Sequence, residues 1–288
     1  MISINTNYGG IFAAKASSQA TLRVDQAMER LSTGKRINHA RDDSAGQAIA
    51  TRLAAEIEGL AMASRNVADG QSLVDTAESA LVETHALLLR MREISVQAAN
   101  GTLSTADNTA LNAEFQQLVA EIDRISDNTS WAGTKLLNGD STGNANTSAT
   151  FAFQAGVNNT TADTISVDIS NADAETLGVF VDNSGNNNIT LTDATNAGAA
   201  IVAVDAAIAA VSTERGKLGA VSNRMSSTMA NLDQITVNLT ASKGRIEDAD
   251  FAAETGNLAK GQILQQAATA MLAQANASKS SILTLVRG

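Results

Sequence analysis

A mainly α fold, a long coiled-coil-like helical bundle with a small β-hairpin region, is predicted by three observations. Apolar residues recur at alternating steps of three and four along most of the chain, the spacing of a narrow stripe on one helix face. Proline is absent from all 288 residues, although it would break helix interiors wherever it stood. Alternation with period two, the mark of strands, is confined to one short stretch in the middle.

The first helix is read from Ala13, Ser17, Ala20, Val24, Ala27 and Leu31, with Lys15 as the only charge before Arg23. Ser44-Ala45-Gly46-Gln47 fits a capping box at the start of the next. Behind it Leu60, Ala63, Val67, Gly70, Val74, Ala77, Leu81, Thr84, Leu88 and Met91 keep the same steps up to a stop near Asn100-Gly101. Ser104 or Thr105 starts a helix with the stripe Leu111, Phe115, Leu118, Ile122 and Ile125. Another runs from about Thr195 through Ile201, Val204, Ile208, Val211, Leu218, Val221, Met225, Leu232, Ile235 and Leu239. These three bury their stripes against one another as a bundle. The final helix repeats the rhythm of the first in Leu264, Ala268, Met271, Ala275, Ser278, Ile282 and Leu285, and from Thr255 onward its only charges are Lys260, Lys279 and Arg287. Small, nearly uncharged stripes of this kind are marginal alone in water. The two terminal segments are therefore expected to be disordered in the free chain and to fold when other copies bury them.

Between 138 and 195 the rhythm changes. Phe151-Ala152-Phe153 and Ile165-Ser166-Val167-Asp168-Ile169 alternate around the turn-rich Gly156-Val157-Asn158-Asn159 and predict a β-hairpin. Leu177-Gly178-Val179-Phe180-Val181 is a candidate third strand, and 183–188 a Gly/Asn/Ser loop.

Composition excludes several classes. Cysteine is absent, so there is no disulfide framework or thiolate chemistry. The net charge of −10 lies almost wholly in the middle, where no Lys or Arg occurs between Lys135 and Arg215. Such a surface disfavours nucleic acid and keeps a large assembly soluble. No run approaches the roughly 18 apolar residues of a membrane span, and the N-terminus lacks the pattern of a cleavable leader. His39 and His85 are the only histidines and show no zinc-ligand spacing. Asp42, Asp43, Glu247, Asp248 and Asp250 read as helix caps and dipole partners, since no EF-hand pattern accompanies them. No phosphate loop or catalytic triad spacing appears, so neither an enzyme nor a cofactor is expected.

Several long motifs occur in one order. They are the segment 31–50 (LSTGKRINHARDDSAGQAIA), 92–98 (REISVQA), 121–125 (EIDRI), 245–251 (RIEDADF), 262–267 (QILQQA) and 272–276 (LAQAN). This set resembles bacterial flagellins and covers both ends and the flanking helices. The resemblance implies a homopolymeric helical filament subunit of short form, without large outer domains. Residues 1–43 and 246–288 would pair as helices of the filament core, and 44–245 would form the outer helical layer. The self-assembly seam would consist of Ala13, Ala20, Val24, Ala27, Leu31, Leu264, Ala268, Met271, Ala275, Ile282 and Leu285. Residues 34–43 would connect the layers, with Arg36, Asn38, Arg41, Asp42 and Asp43 as its polar side chains and the two arginines facing the acids.

The resemblance further implies an extracellular flagellar location reached through the type III export apparatus. It implies partners in an export chaperone, the filament cap and the hook-junction proteins, and contact with the host Toll-like receptor 5 through Arg90, Ile94 and Glu114. A hook–filament junction protein and a surface adhesin or receptor on the same scaffold are the competing readings.

Overall fold

The computed structural model describes residues 6–139, 148–180 and 189–287, with side chains through residue 280. Its helices are α1 (Tyr8–Thr33), α2 (Ser44–Ala98), α3 (Thr105–Asn128), α4 (Ala194–Glu247) and α5 (Phe251–Arg287). Two short antiparallel hairpins, β1 (Ser130–Trp131) with β2 (Thr134–Lys135) and β3 (Ala149–Gln154) with β4 (Thr164–Ile169), and a 3-10 turn at Thr161–Asp163 complete the secondary structure of the described residues. The chain divides into one unit of residues 1–57 and 237–288 and another of 58–236. The division falls within α2 and α4, not at the connector.

In the unit 58–236, every residue of the stripe read from Leu60 to Met91 is buried. Against it lies α4, antiparallel, as the Glu78–Arg215 and Arg92–Asp205 ion pairs at 2.9 and 2.6 Å require. Packing is tight at Gly70, where a Cβ would stand 2.9 Å from Phe153 of β3 and 3.0 Å from Met225 of α4. Val204, Val211, Leu218, Met225 and Leu232 supply the α4 side of this core, while Ile201, Ile208, Val221 and Ile235 are half-buried. One window of α4 is nonetheless long and apolar enough to cross a membrane. This corrects the expectation that no such run exists; the stretch is Ala/Val-rich, with Val204 and Val211 in the bundle core and Val202 exposed.

In α3, Ser104 and Asp107 form a full capping box. The hydroxyl and backbone N–H of Ser104 hold the Asp107 carboxyl below the usual carboxylate range. Phe115 and Ile122 are buried as predicted, but Val119 completes the inner stripe and Leu111, Leu118 and Ile125 flank it.

The hairpin read at 151–153 and 165–169 is β3–β4, with Phe151 opposite Val167. One local expectation is corrected, and one hairpin is an addition. Leu177, Gly178, Val179 and Phe180 form no strand. Val179 N–H donates to Ala174 O and Gly178 N–H to Glu175 O, with Gly178 at φ +71°, so this apolar run closes a helical turn as a Schellman motif. Val181 and the predicted loop at 183–188 lie outside the described residues. The added hairpin, β1–β2, was not expected: its turn residues Ala132 and Gly133 both have positive φ, the geometry of a two-residue type I′ turn, but Ala-Gly lacks the usual Asn-Gly signature.

The buried carboxylate of Glu214 accepts from the N–H and hydroxyl of Ser170, each at 3.0 Å, and from Lys217 Nζ at 3.0 Å. It fastens the chain leaving β4 to α4.

Candidate functional site: the paired terminal helices and their connector

In the unit 1–57 with 237–288, α1 and α5 run antiparallel. Asn7 Nδ2 donates to Asn276 Oδ1 at 3.2 Å, Gln265 Nε2 to Thr21 Oγ1 at 3.1 Å, and Arg30 pairs with Glu254 at 2.8 Å. The side chain of Asn7 also caps α1 by accepting from Gly10 N–H at 3.0 Å. The contact between the helices advances by seven residues on each side. Ala13, Ala20 and Ala27 are buried on α1, and Glu254, Gly261 and Ala268 on α5, with Ala275 half-buried next in that series. A Cβ on Gly261 would meet Val24 Cγ2 at 2.8 Å, so this glycine sets how close the helices come.

The predicted seam therefore splits in two. Ala13, Ala20, Ala27 and Ala268 face the partner helix, and Val24, Leu31 and Ala275 lie at its margin. Leu264 and Met271 do not: they are 39% and 65% exposed. With Phe12, itself 75% exposed, they border an apolar groove of about 420 Å³ that also includes Gly9, Ala16 and Ala267. Tyr8, Ile11, Leu22, Met28 and Ile263 are large apolar side chains exposed on the same two helices. Ile282 and Leu285 belong to α5, and their side chains lie outside the described residues. Gly261 and Glu254 were not read as seam residues. The signal for both was the step of seven that links them to Ala268 and Ala275.

The connector is built by backbone bonds. Gly34, at φ +70°, ends α1. Lys35 and Asp248 then form an antiparallel bridge in which Arg36 N–H donates to Glu247 O at 2.6 Å and Ala249 N–H to Gly34 O at 2.9 Å. The Arg36 guanidinium donates to Ile246 O at 2.8 Å and lies 3.7 Å from Asp43. Arg41 is exposed and makes no ion pair among the described residues. Asn38 Nδ2 donates to Lys35 O at 3.1 Å. Asp42 accepts from the backbone N–H groups of His39 and Asn38 at 3.0 and 3.2 Å. The His39 bond is the larger cause holding its carboxyl below the usual range.

Asp43, not Ser44, caps α2: Gly46 N–H donates to its Oδ1 at 2.9 Å. The expected Ser44–Gln47 capping box therefore does not form: the cap moves to Asp43, and Gly46 at the third helical position has no side chain to reciprocate. A side chain on Gly46 would stand 2.5 Å from Asp43 and 2.8 Å from Ile37, so the glycine admits both. Asp250 caps α5 by accepting from Ala252 and Ala253 N–H.

In the unit 58–236, Arg90 donates to Glu114 at 2.8 and 3.1 Å and to Glu93 at 2.9 Å, all on the surface. Ile94 does not share that surface. It is 1% exposed and belongs to the bundle core, because it continues the inward stripe past Met91.

This arrangement defines a helical structural protein that exposes apolar residues at both of its joined ends. The sequence model of the bacterial flagellin N-terminal helical region matches residues 4–142, and that of the C-terminal helical region matches 201–286. The flagellin of Halalkalibacterium halodurans is 44% identical over 266 residues, covering 91% of each chain. The flagellar filament 33 kDa core protein of Treponema phagedenis is 38% identical over 287 residues, covering 99% of each. The crystal structure of Bacillus cereus flagellin is 29% identical with a TM-score of 0.48, covering 58% of this chain and 88% of that one. The chain belongs to the bacterial flagellin family.

Proposed function

We infer that this protein is a structural subunit of the bacterial flagellar filament and that the α1–α5 pair carries its self-assembly. The observation behind this is the split seam: one half of each stripe is used within the chain, and the other half, with Phe12, Leu264 and Met271, stays open to water. Exposed apolar surface of this kind marks an interaction site. Different patches meeting head to tail build an open helical polymer. The intrachain contact is mostly alanine-sized, so the pair is weak alone and orders fully only when neighbours cover it.

In this reading residues 1–43 and 246–288 form the inner layer and 44–245 the outer one. The role is mechanical, not catalytic, and needs neither cofactor, nucleic acid nor membrane. The subunit reaches the outside through the flagellar export apparatus with an export chaperone, and meets the cap and hook-junction proteins at the filament ends. Arg90 and Glu114 are candidate contacts for Toll-like receptor 5, with Ile94 supporting them from beneath.

Electron microscopy of the purified protein after seeding with filament fragments tests the function. Long uniform filaments, with termini that become resistant to proteolysis, are expected. Seeds that never lengthen, or termini equally protected before and after, would contradict it.

A further inference from the structure

The chain contains two Asn-Gly pairs, Asn100-Gly101 and Asn138-Gly139, in opposite surroundings. Asn100 and Gly101 are exposed in the turn between α2 and α3, closed by Leu103 N–H donating to Asn100 O at 3.2 Å. Nothing lies within 4 Å of a Cβ placed on Gly101, and its N–H has no acceptor among the described residues. Thr102 N–H donates to Asn100 Oδ1 at 3.3 Å. The second pair is held. Asn138 Nδ2 donates to Asp127 and Gly139 is buried. The preceding carbonyl, Leu137 O, accepts from Ser126 Oγ at 2.6 Å and Ala172 N–H at 2.9 Å.

We propose that Asn100 is a site of spontaneous deamidation and that Asn138 is protected from the same reaction. The Gly101 nitrogen attacks Asn100 Cγ and forms the N–Cγ bond of a cyclic imide. The Cγ–Nδ2 bond breaks, and Nδ2 leaves as ammonia carrying the proton from Gly101. Water then opens either carbonyl–nitrogen bond of the ring, giving aspartate or isoaspartate. Glycine suits this step because it places no side chain near the attacking nitrogen. The Thr102 N–H sits on the oxygen where negative charge develops in the tetrahedral intermediate, as an oxyanion donor does. The product puts a carboxylate just beyond the C-terminus of α2, where the helix dipole opposes it. Isoaspartate also lengthens the main chain inside the turn.

The test is to incubate the folded full-length protein at mildly alkaline pH, digest it with trypsin, and follow the replacement of NH₂ by OH at each residue by fragmentation mass spectrometry. Fragments 93–124 and 136–215 carry the two sites. Conversion at Asn100 is expected to outpace that at Asn138 by about tenfold or more. In denaturant the two rates should converge, since both are then free Asn-Gly pairs. Gly101→Ala should slow the Asn100 reaction about tenfold through steric hindrance at the attacking nitrogen. Equal rates in the folded protein would overturn the proposal, as would an Asn100 rate untouched by Gly101→Ala.

Discussion

Arg30 on α1 and Glu254 on α5 lie 2.8 Å apart and form the one ion pair that joins these two helices among the described residues. Both side chains are largely buried, and Glu254 occupies a position in the same step-of-seven series as Gly261 and Ala268. A charge pair inside an otherwise alanine-sized contact fixes register, because any slip would leave two desolvated charges unmatched.

Reversing one partner, Glu254→Arg, should lower the stability of the helix pair by about 2 kcal/mol or more. Combining it with Arg30→Glu should recover most of the loss. Thermal dissociation of assembled filaments, followed by light scattering, reads both effects. A double variant as weak as the single one would show that the pair does not set register.

Two glycines of α5 should respond in opposite directions. Gly256 has open space around it, so Gly256→Ala should stabilise the helix by up to about 1 kcal/mol. At Gly261 the added methyl would meet Val24 at 2.8 Å. Overpacking of about 1–3 kcal/mol there should outweigh the helix gain. Hydrogen exchange along α1 and α5 in the filament distinguishes the two cases.

Asp123 links α3 to the turn at Ala174 and carries a pH signature. Burial pushes its carboxyl up, against the opposing bond from Ala174 N–H at 2.8 Å. A carboxyl whose folded pKa is raised contributes most when protonated, below its unfolded value, and that contribution is lost as pH rises through the folded pKa. Asp123→Asn keeps an oxygen for Ala174 and removes the charge. It should raise the unfolding temperature at neutral pH, with the advantage fading below about pH 4. Scanning calorimetry across this range measures it; an advantage that grows toward acid would contradict the burial argument.

The receptor candidates separate by mechanism. Arg90→Ala should leave the bundle folded, because its ion pairs to Glu93 and Glu114 are solvent-exposed and screened. It should weaken Toll-like receptor 5 activation by monomer. Ile94→Ala should instead destabilise the bundle by about 2–5 kcal/mol, and any loss of signalling should track unfolding measured by circular dichroism.

Legibility in the sequence followed where the burying partner lies. The stripe from Leu60 to Met91 is buried throughout because its partners are in the same chain, so period and burial coincide. The terminal stripes were legible as stripes, but not which half faces inward: Ala268 is buried and Met271 exposed because one chain supplies only part of the cover. Short-range chemistry was harder to read. Asp43 and Ser44 are neighbouring cap candidates, and the space beside Gly46 decides for Asp43. The run Leu177–Phe180 is apolar enough for a strand, yet Gly178 at φ +71° closes a helical turn instead. Ala132 at φ +47° carries no signal that periodicity or turn preference detects.

The central claim is that the open half of the α1–α5 seam drives assembly, and Met271→Asp tests it most directly. Met271 is 65% exposed in the subunit, so the change costs little before assembly, whereas a carboxylate carried into an apolar contact between subunits is heavily penalised unless it is paired. Seeded elongation measured by sedimentation should fall below detection, with the circular dichroism of the soluble subunit unchanged. Filaments that grow from the variant at the parental rate would contradict the account.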